Sequence, residues 1–312
     1  MLYDMRCIMK VLVTGVCGQL RRDVSAELQK RGNNVIGTDI KLADHSVENK
    51  HMEKDITYIH LDITDSDEVK RIVTSASPEA IIHCAAWTAV DAAEDEKNYA
   101  MVDAVNHLGT LYLADVARTI NARLLYVSTD YVFNGQGNIP WKPEDIPLTP
   151  LNRCGATKLA GEKSILATLD KYFIVRTSWL FGSSEENFVK TVISKGKSNK
   201  TICVVNDQFG LPTYTVDLAR LLVDIVETEK YGIYHATNEG EYISWFDLCR
   251  EVYNEVGILT TVLPVSTHEY SESKALRPYN SRLDRSKLKQ IGFVQLPDWR
   301  DAVRLYLKTI MN

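Results

Sequence analysis

The sequence contains no apolar run that approaches the length of a membrane span. No secretory signal is visible, because Lys10 is followed by only three apolar residues before Thr14. There is no basic excess either. Lys and Arg number 36 against 41 Asp and Glu, a formal net charge of -5, which argues against a nucleic-acid partner held by phosphate contacts. The six cysteines (Cys7, Cys17, Cys84, Cys154, Cys203, Cys249) are scattered, and no C-x-x-C pair suggests metal or redox chemistry. That usage leads us to expect a reduced, cytoplasmic setting. Internal repeats and low-complexity tracts are also lacking.

What is present reads as ordinary globular protein. With 312 residues, 45% hydrophobic and 25% charged, the chain can build one large or two modest cores. Met1–Met9 fits no motif and is expected to be an extension or an early start, with Met9 the true start. Lys10–Thr14 is an apolar strand running into Gly15-Val16-Cys17-Gly18-Gln19-Leu20-Arg21, then a helix from about Arg22 to Lys30. Strand, glycine turn and helix make the first unit of a dinucleotide fold. Gly15 permits the tight turn, Gly18 lets the backbone approach a pyrophosphate, and the helix N-terminus meets the phosphate charge. Gly15, Cys17, Gly18, Gln19 and Leu20 are thus candidate cofactor contacts. Asn34–Thr38 is a second strand ending at Asp39. An acid at this spacing accepts hydrogen bonds from the adenosine ribose and repels a 2′-phosphate, which favours NAD(H) over NADP(H). Lys41 nearby keeps NADP(H) open.

Residues 41–57 are polar and aperiodic, so a loop is expected. Tyr58–Leu61 is a third strand, leading to Asp62-Ile63-Thr64-Asp65, where Thr64 or Asp65 caps a helix through Val73. Ala80–Cys84 is a fourth strand. It delivers Ala85-Ala86-Trp87-Thr88-Ala89-Val90-Asp91, whose small residues leave room for a cofactor backbone. The apolar spacing predicts one long helix over Met101–Arg118, with Asn106 on it. Leu124–Val127 is a fifth strand that stops at Ser128-Thr129-Asp130, at a strand end where open α/β sheets place ligands. A proline-bearing loop follows, then the start of a helix at Cys154-Gly155-Ala156-Thr157-Lys158. Phe173–Arg176 is the sixth strand. Strands alternating with helices predict an α/β fold with a doubly wound parallel sheet, connected right-handed.

Beyond about 180 the pattern changes. Phe188–Lys195 reads as helix, Ile202–Val205 as strand, Val216–Glu227 as amphipathic helix and Gly232–Ala236 as strand. Ser244 is expected to cap the helix Trp245–Val256, with Asp247 in its first turn. These pieces predict a smaller mixed α/β lobe over the sheet's carboxyl edge. The division is a dinucleotide-binding domain at 9–178 and a substrate lobe at 179–312, with some segments after 205 returning to the first.

Several stretches carry a family resemblance. They are Ser-Thr-Asp-Tyr-Val-Phe at 128–133, Gly-Ala-Thr-Lys-Leu-Ala-Gly-Glu at 155–162, Arg-Thr-Ser-Trp-Leu-Phe-Gly at 176–182 and Asp-Gln-Phe-Gly-Leu-Pro-Thr at 207–213. In that order they resemble the dTDP-4-dehydrorhamnose reductases, within the extended short-chain dehydrogenase/reductases, over nearly the whole chain. The resemblance implies reduction by NAD(P)H of the 4-keto group of dTDP-4-dehydro-6-deoxy-L-mannose to dTDP-L-rhamnose, a precursor for polysaccharide. It assigns catalysis to Thr129, Lys158 and a tyrosine whose place is taken here by Cys154. It puts Asp62 and Ile63 along the adenine, and Ala85 and Ala86 beside the nicotinamide ribose. Thr88, Val90, Asp130 and Tyr131 are set near the sugar or its nucleotide. Trp179 becomes an aromatic wall and Arg277 a forked donor to the diphosphate. A homodimer is a further implication. Some relatives dimerise through a magnesium site built from acids, but no acid cluster supports one here.

Two positions depart from the family pattern. The third motif glycine is Arg21, which either reaches the cofactor phosphates or distorts the turn. At 154 a thiol replaces a phenol. Its ordinary pKa of about 8.5 lies below tyrosine's, and Lys158 is expected to lower it further. Its reach falls short by a full ring, so a water must bridge or the acid is lost. A reactive nucleophile at Cys154 is the other reading, with no base partner evident. The two departures also leave open a non-catalytic, nucleotide-binding or regulatory subunit of the same fold.

Overall fold

The computed structural model describes residues 8–43, 56–270 and 273–311. The expected extension at Met1–Met9 lies largely outside them. Met9 itself is buried, and its N–H donates to Asn33 Oδ1 at 3.0 Å.

Seven strands form one parallel sheet. They are β1 (Lys10–Thr14), β2 (Asn34–Asp39), β3 (Thr57–His60), β4 (Ala80–His83), β5 (Arg123–Thr129), β6 (Tyr172–Thr177) and a closing strand, Gly232–His235. Their order is closing strand–β6–β5–β4–β1–β2–β3. Every pair is parallel, with Thr14 facing Thr38 on one side and His83 on the other. The chain therefore winds outward from β1 in one direction and then in the other. That reversal opens a crevice at the carboxyl ends of β1 and β4.

Both faces of the sheet are covered, which is why its strands are continuous apolar runs rather than alternating ones. Successive side chains point to opposite faces. Val11 and Val13 pack with α1 (Gln19–Lys30) and the helix Thr215–Val226. Leu12 packs on the other side, with α2 (Ser66–Ala76), the helix Gly109–Thr119 and the helix Arg153–Thr168. Asp65 caps α2 through the N–H groups of Asp67 and Glu68.

Four details differ from the sequence expectation. First, α1 starts at Gln19 rather than near Arg22, which places Arg21 in its first turn. Second, β5 runs on to Thr129, because Ser128 and Thr129 pair with Arg176 and Thr177. Third, the long helix over 101–118 is broken by a π-turn at Ala104–Leu108. There the Asn106 carbonyl accepts from Thr110 Oγ1 at 2.8 Å and from the Tyr126 hydroxyl at 3.3 Å. Insertions of this kind recur at functional sites. Fourth, within the expected loop at 41–57, Ile40–Ala43 forms a 3-10 turn, residues 44–55 lie outside the described residues, and Thr57 already belongs to β3.

Past β6, a second core gathers Phe181, Val192, Leu248, Val252, Trp299 and Tyr306. It joins the helices Phe188–Ser198, Trp245–Val256 and Trp299–Met311 to a parallel pair, Thr201–Val205 with Thr261–Val265. Ser244 and Asp247 form a reciprocal capping box on the middle helix. Among the described residues no helix is long and apolar enough to cross a membrane.

Candidate active site

The crevice begins at the turn after β1. Gly15 takes a φ of +73°, open to glycine at little cost, and its N–H reaches Thr38 O at 2.5 Å. A Cβ on Gly15 would stand 2.9 Å from the Ala85 Cα, so the two strand ends need this residue bare. Gly18 sits ahead of α1 in an extended conformation with no side-chain cap. Asp39, buried at the end of β2, accepts from Cys17 N at 3.0 Å and Lys41 N at 2.9 Å. Each oxygen keeps a lone pair for a hydroxyl.

Arg21 occupies the middle of this cradle. A Cβ built on Gly15 or on Gly18 would fall within the Arg21 guanidinium. Its Nη2 lies 3.9 Å from Glu185 Oε1, across the crevice in the C-terminal lobe. Gln19 Nε2, packed against Gly182, is a buried donor without a hydrogen-bond partner.

Gln19, Leu20, Ala86, Thr88, Val90, Thr129, Asp130, Tyr131, Cys154, Lys158 and Trp179 line a single cavity of about 400 Å³. Arg21, Glu185, Glu186 and Trp245 line it too. Thr129, at the end of β5, donates to Asp130 Oδ1 at 3.1 Å and accepts from Tyr131 N. Asp130 is buried with one oxygen unpartnered, and burial pushes its carboxyl up to about 7. Burial likewise holds the Tyr131 phenol above its ordinary value.

Cys154 and Lys158 are one turn apart on the helix that Asn152 caps, so they share a face. The Lys158 ammonium bonds Val127 O at 2.5 Å and lies 3.9 Å from the Tyr126 ring centre. It is 7% exposed, and burial brings its pKa down to about 7. The expectation for Cys154 is corrected here. Lys158 does act to lower its pKa, but burial outweighs that and, with Glu94 adding to it, raises the thiol to about 11. The Sγ points to Trp87 O at 3.8 Å.

The Lys158 value carries a stability prediction. Above about pH 7 the folded chain releases this proton, while the unfolded chain keeps it to the ordinary lysine range. The unfolded state then binds more protons, so stability rises with pH across that window, by at most about 1.4 kcal/mol per unit. Below about pH 7 both states are protonated and this contribution is flat. Urea midpoints from about pH 7 to 8 are expected to show the rise in the parent, below the range where the raised Cys17, Cys84, Cys154 and Cys249 thiols act in the opposite sense, and Lys158→Met is expected to flatten it.

Behind these residues stands a buried scaffold that sequence reasoning saw only in part. Asn106 accepts from Trp87 N at 2.8 Å and donates to Thr157 Oγ1 at 3.1 Å, tying the loop after β4 to the catalytic helix. His83 bridges Thr14 Oγ1 at 2.8 Å and Thr110 Oγ1 at 3.0 Å. Glu162 and Arg176, each 1% exposed, form a bidentate pair under the helix. Trp179 stacks on Trp245 with ring centres 3.7 Å apart. Trp245 was missed because it lies 66 residues downstream on the far lobe; only its aromatic character hinted at it.

Gly15, Cys17, Gly18, Asp39 and Ala85 are not part of the cavity wall, and neither are Asp62, Ile63 and Arg277, which are engaged elsewhere. Asp62 accepts from Thr64 N and Oγ1 at 2.8 and 2.7 Å, and Ile63 is core beneath Gly109. Arg277 pairs with Asp91 at 2.7 Å; Asp91 also accepts from Lys274 N and Ala275 N, pinning that segment to the short helix Val90–Ala93.

A doubly wound sheet with a glycine cradle at its switch point, an acid ending β2 and a threonine–lysine pair over one cavity defines a nicotinamide-dinucleotide-binding protein of the short-chain dehydrogenase/reductase class. The buried acid on β2, the bare Gly15 and Lys158 suit the two ends of such a cofactor; its centre is where Arg21 stands. A family model described as RmlD substrate binding domain matches residues 9–312. The dTDP-4-dehydrorhamnose reductase of Streptomyces griseus is 39% identical over 298 residues, covering 94% of this chain and 91% of its own. A spore coat polysaccharide biosynthesis protein of Bacillus subtilis is 34% identical, over 96% of this chain and 97% of its own. The crystal structure of dTDP-4-dehydrorhamnose reductase from Bacillus anthracis in complex with NADP superposes with a TM-score of 0.86 at 36% identity, over 97% of this chain and 100% of that one. The chain belongs to the dTDP-4-dehydrorhamnose reductase family of oxidoreductases.

Proposed function

We propose that this protein binds a dTDP-4-dehydro-6-deoxy sugar and reduces its 4-keto group slowly, for want of a phenol at position 154. The observation that carries this is the meeting of Thr129, Cys154 and Lys158 in one cavity that extends to Trp179. A reduced nicotinamide, when bound, supplies hydride for the carbonyl carbon. The Thr129 hydroxyl holds the carbonyl oxygen, and Trp179 with Trp245 gives the sugar an apolar wall. Lys158 binds the cofactor ribose and is poised near neutrality to exchange a proton with water. The Cys154 thiol, turned to Trp87 O, is too short to protonate the oxygen itself. A water relays that proton from the Lys158 ammonium, whose pKa near 7 makes it the stronger acid.

A second reading is favoured by one observation, the guanidinium in the glycine cradle: a nucleotide-binding subunit without turnover. Absorbance of NADH and NADPH, followed with dTDP-4-dehydro-6-deoxy-L-mannose, separates the two. Slow oxidation that depends on the sugar supports reduction. Binding of dTDP with no oxidation at high protein concentration supports the second reading, and failure to bind dTDP sinks both.

We also assign Asp39 to the adenosine ribose, with NADH preferred. Asp39→Ser is expected to weaken NADH binding by about 1.5–3 kcal/mol and to weaken NADPH binding less. Titration calorimetry with each dinucleotide checks this.

A further inference from the structure

We propose that Arg21 is a built-in competitor for the cofactor diphosphate: its guanidinium fills the Gly15–Gly18 cradle and must leave before a dinucleotide can seat. This rests on the dinucleotide-binding reading above and adds a determinant of affinity that the glycine pattern alone would not contain.

The geometry is steric first. The space directly above Gly15 and Gly18, which a diphosphate needs in order to approach the backbone, holds the Arg21 guanidinium. Arg21 reaches it because α1 begins at Gln19, which puts the residue in the first helical turn, facing the crevice. Its side chain is only 16% exposed.

The charges show that it is a poor resident. A cation at a helix N-terminus opposes the macrodipole, and no acid stands in the first turn of α1 to offset it. The nearest carboxylate is Glu185 at 3.9 Å, itself 40% exposed, so the tether is weak. Arg21 also adds to the depression of the Lys158 pKa. A helix N-terminus that favours an anion thus holds a cation from its own chain. Glu185 and Glu186, on the same cavity wall, are where the displaced guanidinium can go.

A site that is open in only a fraction of molecules binds more weakly by that fraction. Arg21→Gly is therefore expected to tighten NADPH and NADH binding by on the order of tenfold or more. Arg21→Met, which keeps the bulk without the charge, is expected to stay near the parent. Calorimetric titration of the three full-length proteins with each dinucleotide reads this, and dTDP titrated in parallel reads the sugar-nucleotide site independently. If the glycine variant is poorly folded, Arg21→Ala gives the same test, because it also vacates the cradle. Tighter binding by Gly or Ala, with Met like the parent, supports the competitor. Equal or weaker binding by the vacated variants overturns it, whatever the dTDP titration shows, and weaker binding marks Arg21 as a phosphate ligand instead.

Discussion

Cys154→Tyr is expected to raise kcat for reduction of the 4-keto sugar by about 10²–10⁴, the usual contribution of a positioned general acid, or roughly 3–5 kcal/mol of barrier. The helix supplies the geometry. Position 154 lies one turn before Lys158 on the same face, and both side chains border the cavity. A phenol there adds the ring that the thiol lacks and brings its oxygen toward Thr129. The lysine charge then favours proton release from it. The gain is expected in kcat with KM little changed, because the proton is given only in the transition state. Its limit is room: Cys154 is packed with Ala93 and Val102, so the ring must turn outward into the cavity. Steady-state kinetics under saturating dinucleotide decide the matter. Unaltered kcat in a variant that still binds dTDP would mean that proton supply does not limit this site.

Breaking the buried ion pair beneath the helix is expected to have the largest effect on stability. Arg176 donates to both oxygens of Glu162, at 3.0 and 2.7 Å, and Ser128 Oγ donates to the same carboxylate at 2.5 Å. Arg176→Met leaves that carboxylate charged and buried, at a cost of about 3–5 kcal/mol. Glu162→Leu leaves the guanidinium in a similar position. Removing both together, as Arg176→Met with Glu162→Leu, is expected to cost much less than the two single changes summed, since two uncompensated charges vanish at once. Urea unfolding of the four proteins measures the coupling. Additive losses would show that the pair acts as separate contacts.

Much of the fold was legible in order along the chain. Five of the six anticipated strands lie within one residue of their expected bounds because each is a short apolar run bounded by turn residues, a purely local pattern. The fifth, β5, was cut short at Val127. Ser128, Thr129 and Asp130 are three small polar residues that end the apolar run, and pairing with β6 carries the strand through the first two. The break at Asn106 was equally hidden, since it depends on Thr110 and Tyr126 meeting one carbonyl.

The candidate site divides in the same way. By itself the sequence determined the parallel sheet, the glycine turn, the acid ending β2 and the nomination of Thr129 and Lys158. Its family resemblance also drew attention to Arg21 and Cys154. Tertiary structure alone decided the surroundings of those two residues. Residue spacing is set by the backbone, but acidity and occupancy are set by neighbours distant in sequence. Cys154 becomes a weak acid because burial outweighs the lysine one turn away. Arg277 rests on Asp91, 186 residues earlier, and Arg21 lies over the very glycines that precede it.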